Sequence, residues 1–126
     1  MIAIGIGCRR GSAKDSIVKL VREALAGVEE SDGAVELFSV EDKQDETGLI
    51  EAAAVLQWPL HFLSHAALQQ VEAAVVTPSR FAEAALGLTS VSEAAALAGA
   101  GRGAQLIVPR MTRDGVTCAI ALGGGR

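Results

Sequence analysis

The sequence predicts an α/β fold, a three-layer α/β/α sandwich with a mixed sheet of about five strands. Three patterns predict it: short apolar runs that pass into helical periodicity, the recurrence of that strand-to-helix order, and two late apolar runs around an Asp-Gly pair. The chain has 126 residues, half of them apolar, which suits one domain with a real core and is too few for two. Residues 1–122 are read as that domain and the terminal Gly-Gly-Gly-Arg, 123–126, as a flexible tail.

Ile2 to Ile6 is an apolar run without a polar face, as expected of a central strand. Ser12 with Asp15 resembles a shortened capping box, and Ile17, Val18, Leu20, Val21, Ala24, Leu25 and Val28 follow at helical spacing, so a helix is expected from about Ala13 to Ala26. After an acidic turn, Val35 to Val40 reads as a second strand with Val35, Leu37 and Ser39 on one side. A polar turn leads to a helix over about Glu46 to Leu56, with Asp45 as candidate N-cap and Leu49, Ile50, Ala53 and Leu56 inward. Pro59 is expected to end it by excluding the helical conformation at Trp58. Leu60 to Leu63 suits a third strand, and Ser64 a cap for a brief helix over His65 to Val71. Residues 73–78 read as either a loop or a very short strand.

Ser79 opens a turn over Arg80 to Leu86, and Ser90-Val91-Ser92-Glu93 is a capping box leading into an alanine-rich helix to Ala100. Its alanines allow close approach to a sheet. Gln105 to Val108 and Val116 to Leu122 form a hairpin, with Met111 to Gly115 as connection and Asp114-Gly115 as turn.

Composition narrows the function. The formal net charge is −4, from 11 basic and 15 acidic residues, so the chain has no general attraction to nucleic acid or an anionic membrane. With no tyrosine, one tryptophan and three phenylalanines, no aromatic and basic stripe for nucleic acid can be written. No stretch reaches the roughly 20 apolar residues of a membrane helix, and the start lacks the pattern of a signal peptide. Cys8 and Cys118 lie in apolar, strand-like surroundings and read as reduced thiols. The expected compartment is the cytoplasm.

The loop after the first strand, Gly5-Ile6-Gly7-Cys8-Arg9-Arg10-Gly11, invites comparison with phosphate-binding motifs. A dinucleotide fingerprint needs glycine where Arg10 stands, and a Walker loop needs a Gly-Lys-Ser/Thr end that "GSAK" lacks. The ingredients for another anion are nevertheless there: backbone N–H groups near Gly11 at a helix start, the forked donors of Arg9 and Arg10, and Lys14 in the first turn. Three cations at a helix start are unfavourable to the helix unless an anion or an acidic loop offsets them. Surface arginines paired with Glu41 or Asp42 are the plainer alternative.

Parallel pairing of the first two strands would bring "EDKQDETG" to the same edge, with Glu46 as the candidate general acid or base; capping and solvation are the commoner work of such acids. His61 and His65 stand four apart without a third ligand at motif spacing, so no metal or other cofactor is assigned. Cys8, beside arginines and a helix start, is open between a low-pKa thiol and a partly buried packing thiol. Ser79, Ser90, Thr89 and Arg80 add hydroxyls and a cation if those helix starts converge on the first loop, and act as plain caps otherwise.

These segments together resemble a known family. "GIGCRRGSA" at 5–13, "DKQDETGLIEAA" at 42–53, "PLHFLSHAAL" at 59–68, "TPSRFAEAALGLTSVSEAAALAGAG" at 77–101 and "LIVPRMTRDGVTCAIA" at 106–121 are similar, in order and over nearly the whole chain, to the cobalamin biosynthesis CobE proteins and the C-terminal domain of CbiG. The resemblance implies a polycarboxylate precorrin or corrin ligand, with other cobalamin-pathway enzymes as further partners. It also implies ligand contacts from Arg9, Arg10, Lys14, Lys43 and Arg80, close backbone approach at Gly5, Gly7 and Gly11, polar contacts from Ser79, Thr89 and Ser90, and a place for Cys8 in the same loop. The CbiG-type reaction opens a ring lactone with release of acetaldehyde. This chain has no room for that enzyme's N-terminal domain and looks more like the stand-alone protein of the aerobic pathway, so binding is the first expectation and lactone hydrolysis the alternative.

Overall fold

A computed structural model of the chain describes residues 1–28, 33–71, 90–101 and 103–123. Five strands form one sheet: β1 (Ile2–Cys8), β2 (Val35–Val40), β3 (Leu60–Leu63), β4 (Gln105–Arg113) and β5 (Val116–Leu122), in the order β3-β2-β1-β5-β4. β1, β2 and β3 run parallel to one another, while β5 is antiparallel to both β1 and β4. The sheet is therefore mixed, as expected, and β1 is its central strand.

Alternation along β1 divides the core. Ile2, Ile4 and Ile6, with Leu37, Val116, Cys118 and Ile120, form one face, covered by α1 (Lys14–Ala26) and α2 (Thr47–Leu56). Ala3, Phe38, Val40, Ala119 and Ala121 form the other, covered by α4 (Val91–Ala100) with Leu68 of α3 (His65–Gln69). The three layers follow from this period of two.

Small residues set the distance on the α4 side. A Cβ on Gly5 would lie 1.9 Å from the Ser92 carbonyl oxygen and 2.6 Å from the Ala96 amide nitrogen. Helix backbone thus rests directly on strand backbone, which explains both the alanine run and the glycine in β1. Ser39, fully buried on the opposite face of β2 from Phe38, is satisfied by donating its hydroxyl to the Ile6 carbonyl at 2.7 Å.

Several boundaries differ from the sequence reading. β1 extends to Cys8. α1 begins without a side-chain cap, because its N-cap residue is Ala13 and not Ser12, whose Oγ donates to the Arg9 carbonyl at 2.8 Å. Glu46, not Asp45, is the N-cap residue of α2. That helix stops at Gln57, whose left-handed φ of 64° lets its N–H bond the Ala53 carbonyl two residues before Pro59. Ile50, expected inside, is 46% exposed, and Ala52 takes its place in the core. α3 ends at Gln69, short of Val71.

β4 continues to Arg113 through the segment read as a connection. Pro109 sits in this edge strand, where the pairing with β5 shifts register between Leu106 and Val108 and again between Val108 and Met111. A proline cannot donate to a ladder, so an edge position with irregular pairing tolerates it. Asp114 and Gly115 form the hairpin turn with φ of 54° and 79°. The loop or very short strand expected at 73–78 and the turn expected over Arg80 to Leu86 lie outside the described residues.

Candidate functional site

Because β1, β2 and β3 are parallel, their carboxyl ends share one edge of the sheet, and the segments that leave them meet there. Cys8 passes into the loop 9–13, β2 into a single 3-10 turn (Glu41–Lys43), and β3 into Ser64 and α3. Arg9 donates its backbone N–H to the Gly115 carbonyl at 3.2 Å, which brings the hairpin turn to the same edge. α4 starts here too, since Val91 faces Gly7, near the end of β1. The starts of α1, α2, α3 and α4 thus lie at one end of the sheet.

Glu46 organises the loop 9–13. Its side chain is 5% exposed, and Oε2 accepts the Gly11 N–H at 2.5 Å. Gly11 has a left-handed φ of 81° and points its amide at the carboxylate. The first turn of α2 is pressed against the same loop: a Cβ on Gly48 would lie 2.1 Å from the Ser12 carbonyl oxygen. Glu46 also donates its own N–H to the Lys43 carbonyl at 3.0 Å, so three segments are joined at one residue. The carboxylate expected to face a ligand is here occupied with the backbone of the loop.

The cations of the sequence reading are displayed around this frame. Arg9 and Arg10 are exposed, while Lys14 and Lys43 are half-buried. The Arg9 side chain lies along the hairpin turn, within 3.0 Å of where a Gly115 Cβ would be. Among the described residues none of these four forms an ion pair, and the alternative in which Glu41 or Asp42 neutralises the arginines is not found. Asp42 is instead bonded to His65 at 2.6 Å.

Cys8 is half-buried at the start of the loop, and its pKa is raised. Burial is the main cause; Glu46 adds to it, while Lys43 and a hydrogen bond with Ser12 oppose it. A low-pKa thiol is therefore not what this loop holds, despite its arginines, and Cys8 reads as a packing residue. Cys118 is fully buried, and burial pushes its thiol up to about 12. Both cysteines are free.

Gly5 and Gly7 are buried beneath α4, whereas Gly11 lies in the exposed loop. Ser90 reaches the edge as the cap of α4, accepting the Glu93 N–H at 3.5 Å. Ser79, Arg80 and Thr89 lie outside the described residues. His61 and His65 do not converge: His61 Nε2 bonds Glu36 Oε1 at 2.7 Å while its ring stacks on Phe38.

The sequence reading missed Glu93. Read only as half of a capping box, it is fully buried and accepts the Arg110 N–H from β4 at 2.9 Å. A carboxylate inside an alanine-rich helix was the available signal.

Residues 2–121 match the family described as cobalamin synthesis G C-terminus. The chain belongs to this family, and with it to cobalamin biosynthesis. Within the family it is 31% identical over 121 residues to Protein CobE of a Sinorhizobium species, covering 95% of this chain and 79% of that one. It is also 31% identical over 123 residues to the cobalt-precorrin-5A hydrolase of Priestia megaterium, covering 97% of this chain but 32% of the hydrolase.

Solved members of the family share the fold. The crystal structure of CobE, a protein from the cobalamin biosynthetic pathway, superposes with a TM-score of 0.87 at 36% identity, covering 96% of this chain and 89% of that one. The cobalamin biosynthesis protein chiG from Agrobacterium tumefaciens gives 0.74 at 38% identity, covering 98% and 99%. Among the described residues no helix is long and apolar enough to cross a membrane.

Proposed function

We propose that the carboxyl edge of the sheet binds a polycarboxylate precorrin intermediate of cobalamin biosynthesis and that the protein acts as its carrier. The observation that supports this most is the set of cations, Arg9, Arg10, Lys14 and Lys43, that form no ion pair among the described residues, around a glycine loop in a chain of net charge −4. A local field of this sign steers and binds carboxylates whatever the overall charge. Each guanidinium offers paired N–H donors to one carboxylate arm, and the lysines add point charges at the rim. The helix starts supply further donors. Ser90 belongs to the same rim, and Ser79, Thr89 and Arg80 complete the proposed contact set together with Gly11 and Cys8 of the loop. Other enzymes of the pathway are the expected donors and acceptors of the ligand.

The similarity to the cobalt-precorrin-5A hydrolase of Priestia megaterium supports a second reading, in which the chain opens a precorrin ring lactone. Glu46 is the proposed acid or base of that reading, with one carboxylate oxygen also accepting the Gly11 N–H. Titrating the protein with purified precorrins while following absorbance and mass separates the two. A spectral shift without a mass change supports a carrier, and a mass change supports hydrolysis. Neither heat nor spectral shift with any precorrin removes the basis of both.

A further inference from the structure

The two histidines gave no metal motif in the sequence because a third ligand was missing at any regular spacing. Folding supplies one for His65 from another element. Glu41 and Asp42, in the turn after β2, and His65, the first residue of α3, each offer one ligand atom, and these atoms all lie within 4.8 Å of one another. We propose that Glu41, Asp42 and His65 form a binding site for one divalent first-row transition cation.

The convergence is not forced by the backbone. Successive residues of a 3-10 turn project about 120° apart, yet the oxygens of Glu41 and Asp42 come together beside the imidazole. No lysine or arginine among the described residues pairs with either carboxylate. Two carboxylates within 4.8 Å of one another and of an imidazole suit a doubly charged ion.

The imidazole is held in place for this. Ser64 Oγ accepts the Ala67 N–H at 3.1 Å and fixes the start of α3, while Asp42 Oδ1 meets His65 Nε2 at 2.6 Å. An incoming cation takes the Nε2 lone pair with the proton on Nδ1, and the Asp42 oxygen turns from the ring to the metal. One imidazole with two carboxylates suits zinc, cobalt or nickel better than magnesium or calcium, which prefer oxygen ligands alone. The exposed side of the cluster leaves coordination positions for water or an external carboxylate. This site stands apart from the precorrin reading and does not depend on it.

Isothermal titration of the untagged chain with Zn²⁺, and separately with Mg²⁺, tests it, with histidine ring ¹H–¹⁵N spectra recorded alongside. One saturable zinc site below about 100 μM is expected, with magnesium much weaker and with ring shifts at His65 but not His61. His65→Ala and Asp42→Asn should each weaken zinc at least about tenfold, whereas His61→Ala should leave it unchanged. Asp42→Asn keeps the side-chain shape if His65→Ala fails to fold. Absence of saturable binding, equal affinity for magnesium, or a zinc site lost in His61→Ala and kept in His65→Ala would each overturn the proposal.

Discussion

Glu46 Oε2 accepts the Gly11 amide at 2.5 Å across a sequence separation of 35 residues, so the start of α2 sets the conformation of the loop after β1. Glu46→Gln keeps an oxygen acceptor and Glu46→Ala does not. The alanine variant should lose about 1–2 kcal/mol in urea unfolding and the glutamine variant less than half of that. Gly11 amide exchange should quicken only in the alanine variant. Equal losses in both would show that the carboxylate charge, not the hydrogen bond, matters.

Gly5→Ala tests the contact between β1 and α4. With a Cβ 1.9 Å from the Ser92 carbonyl, the helix must move as a body, at a cost of about 3 kcal/mol or more. At Gly11 nothing lies within 4 Å of the added carbon, and only the left-handed φ resists it. Gly11→Ala should therefore cost about 1–2 kcal/mol. A Gly5→Ala chain as stable as the wild type would mean that α4 does not rest on the strand as described.

If Arg9 and Arg10 bind carboxylate arms, replacing both by alanine should weaken precorrin binding roughly tenfold, since an exposed ion pair contributes about 1 kcal/mol or less. The dependence of affinity on salt should flatten at the same time. Fluorescence or absorbance titrations at two salt concentrations measure both. An unchanged affinity with an unchanged salt slope would place the ligand elsewhere.

Burial raises the Cys118 thiol from 9.0 to about 12, and it also raises Cys8. A group raised on folding contributes stability that is full below its unfolded pKa and lost as pH climbs towards the folded value. The advantage of wild type over Cys118→Ala should thus be constant up to about pH 9 and shrink between there and about 12. Paired urea curves at pH 8 and about pH 10.5 measure it. A gap that widens with pH would reverse the sign of the argument. Cys8, held protonated at neutral pH, should react with thiol reagents no faster than an ordinary cysteine.

The layers and the sheet were legible because Ile2, Ile4 and Ile6 alternate with small residues and because Ile17 to Ala24 repeats at helical spacing, both local signals. Asp114-Gly115 announced its turn for the same reason. The strand through Pro109 was not legible, because an edge position with irregular pairing is a property of the neighbours, not of the residue. Likewise Gly5 looked like part of an anion loop, although its reason is the helix that arrives almost ninety residues later in the chain. At the site, the cations of the loop could be named from their types and position. The use of Glu46 as a support, and the meeting of Asp42 with His65, depend on parallel strands aligning turns that are far apart in sequence.

The place of β1 has a kinetic meaning. Its two neighbours are β2 and β5, and the pairing with β5 runs from Ile2 against Leu122 to Cys8 against Val116. During synthesis β1 must wait, with one hydrogen-bonding edge open, until β5 has emerged. A nascent chain arrested before Val116 should therefore be prone to pair that edge with another molecule, and ribosome-bound intermediates of this protein are where chaperone contact is most to be sought.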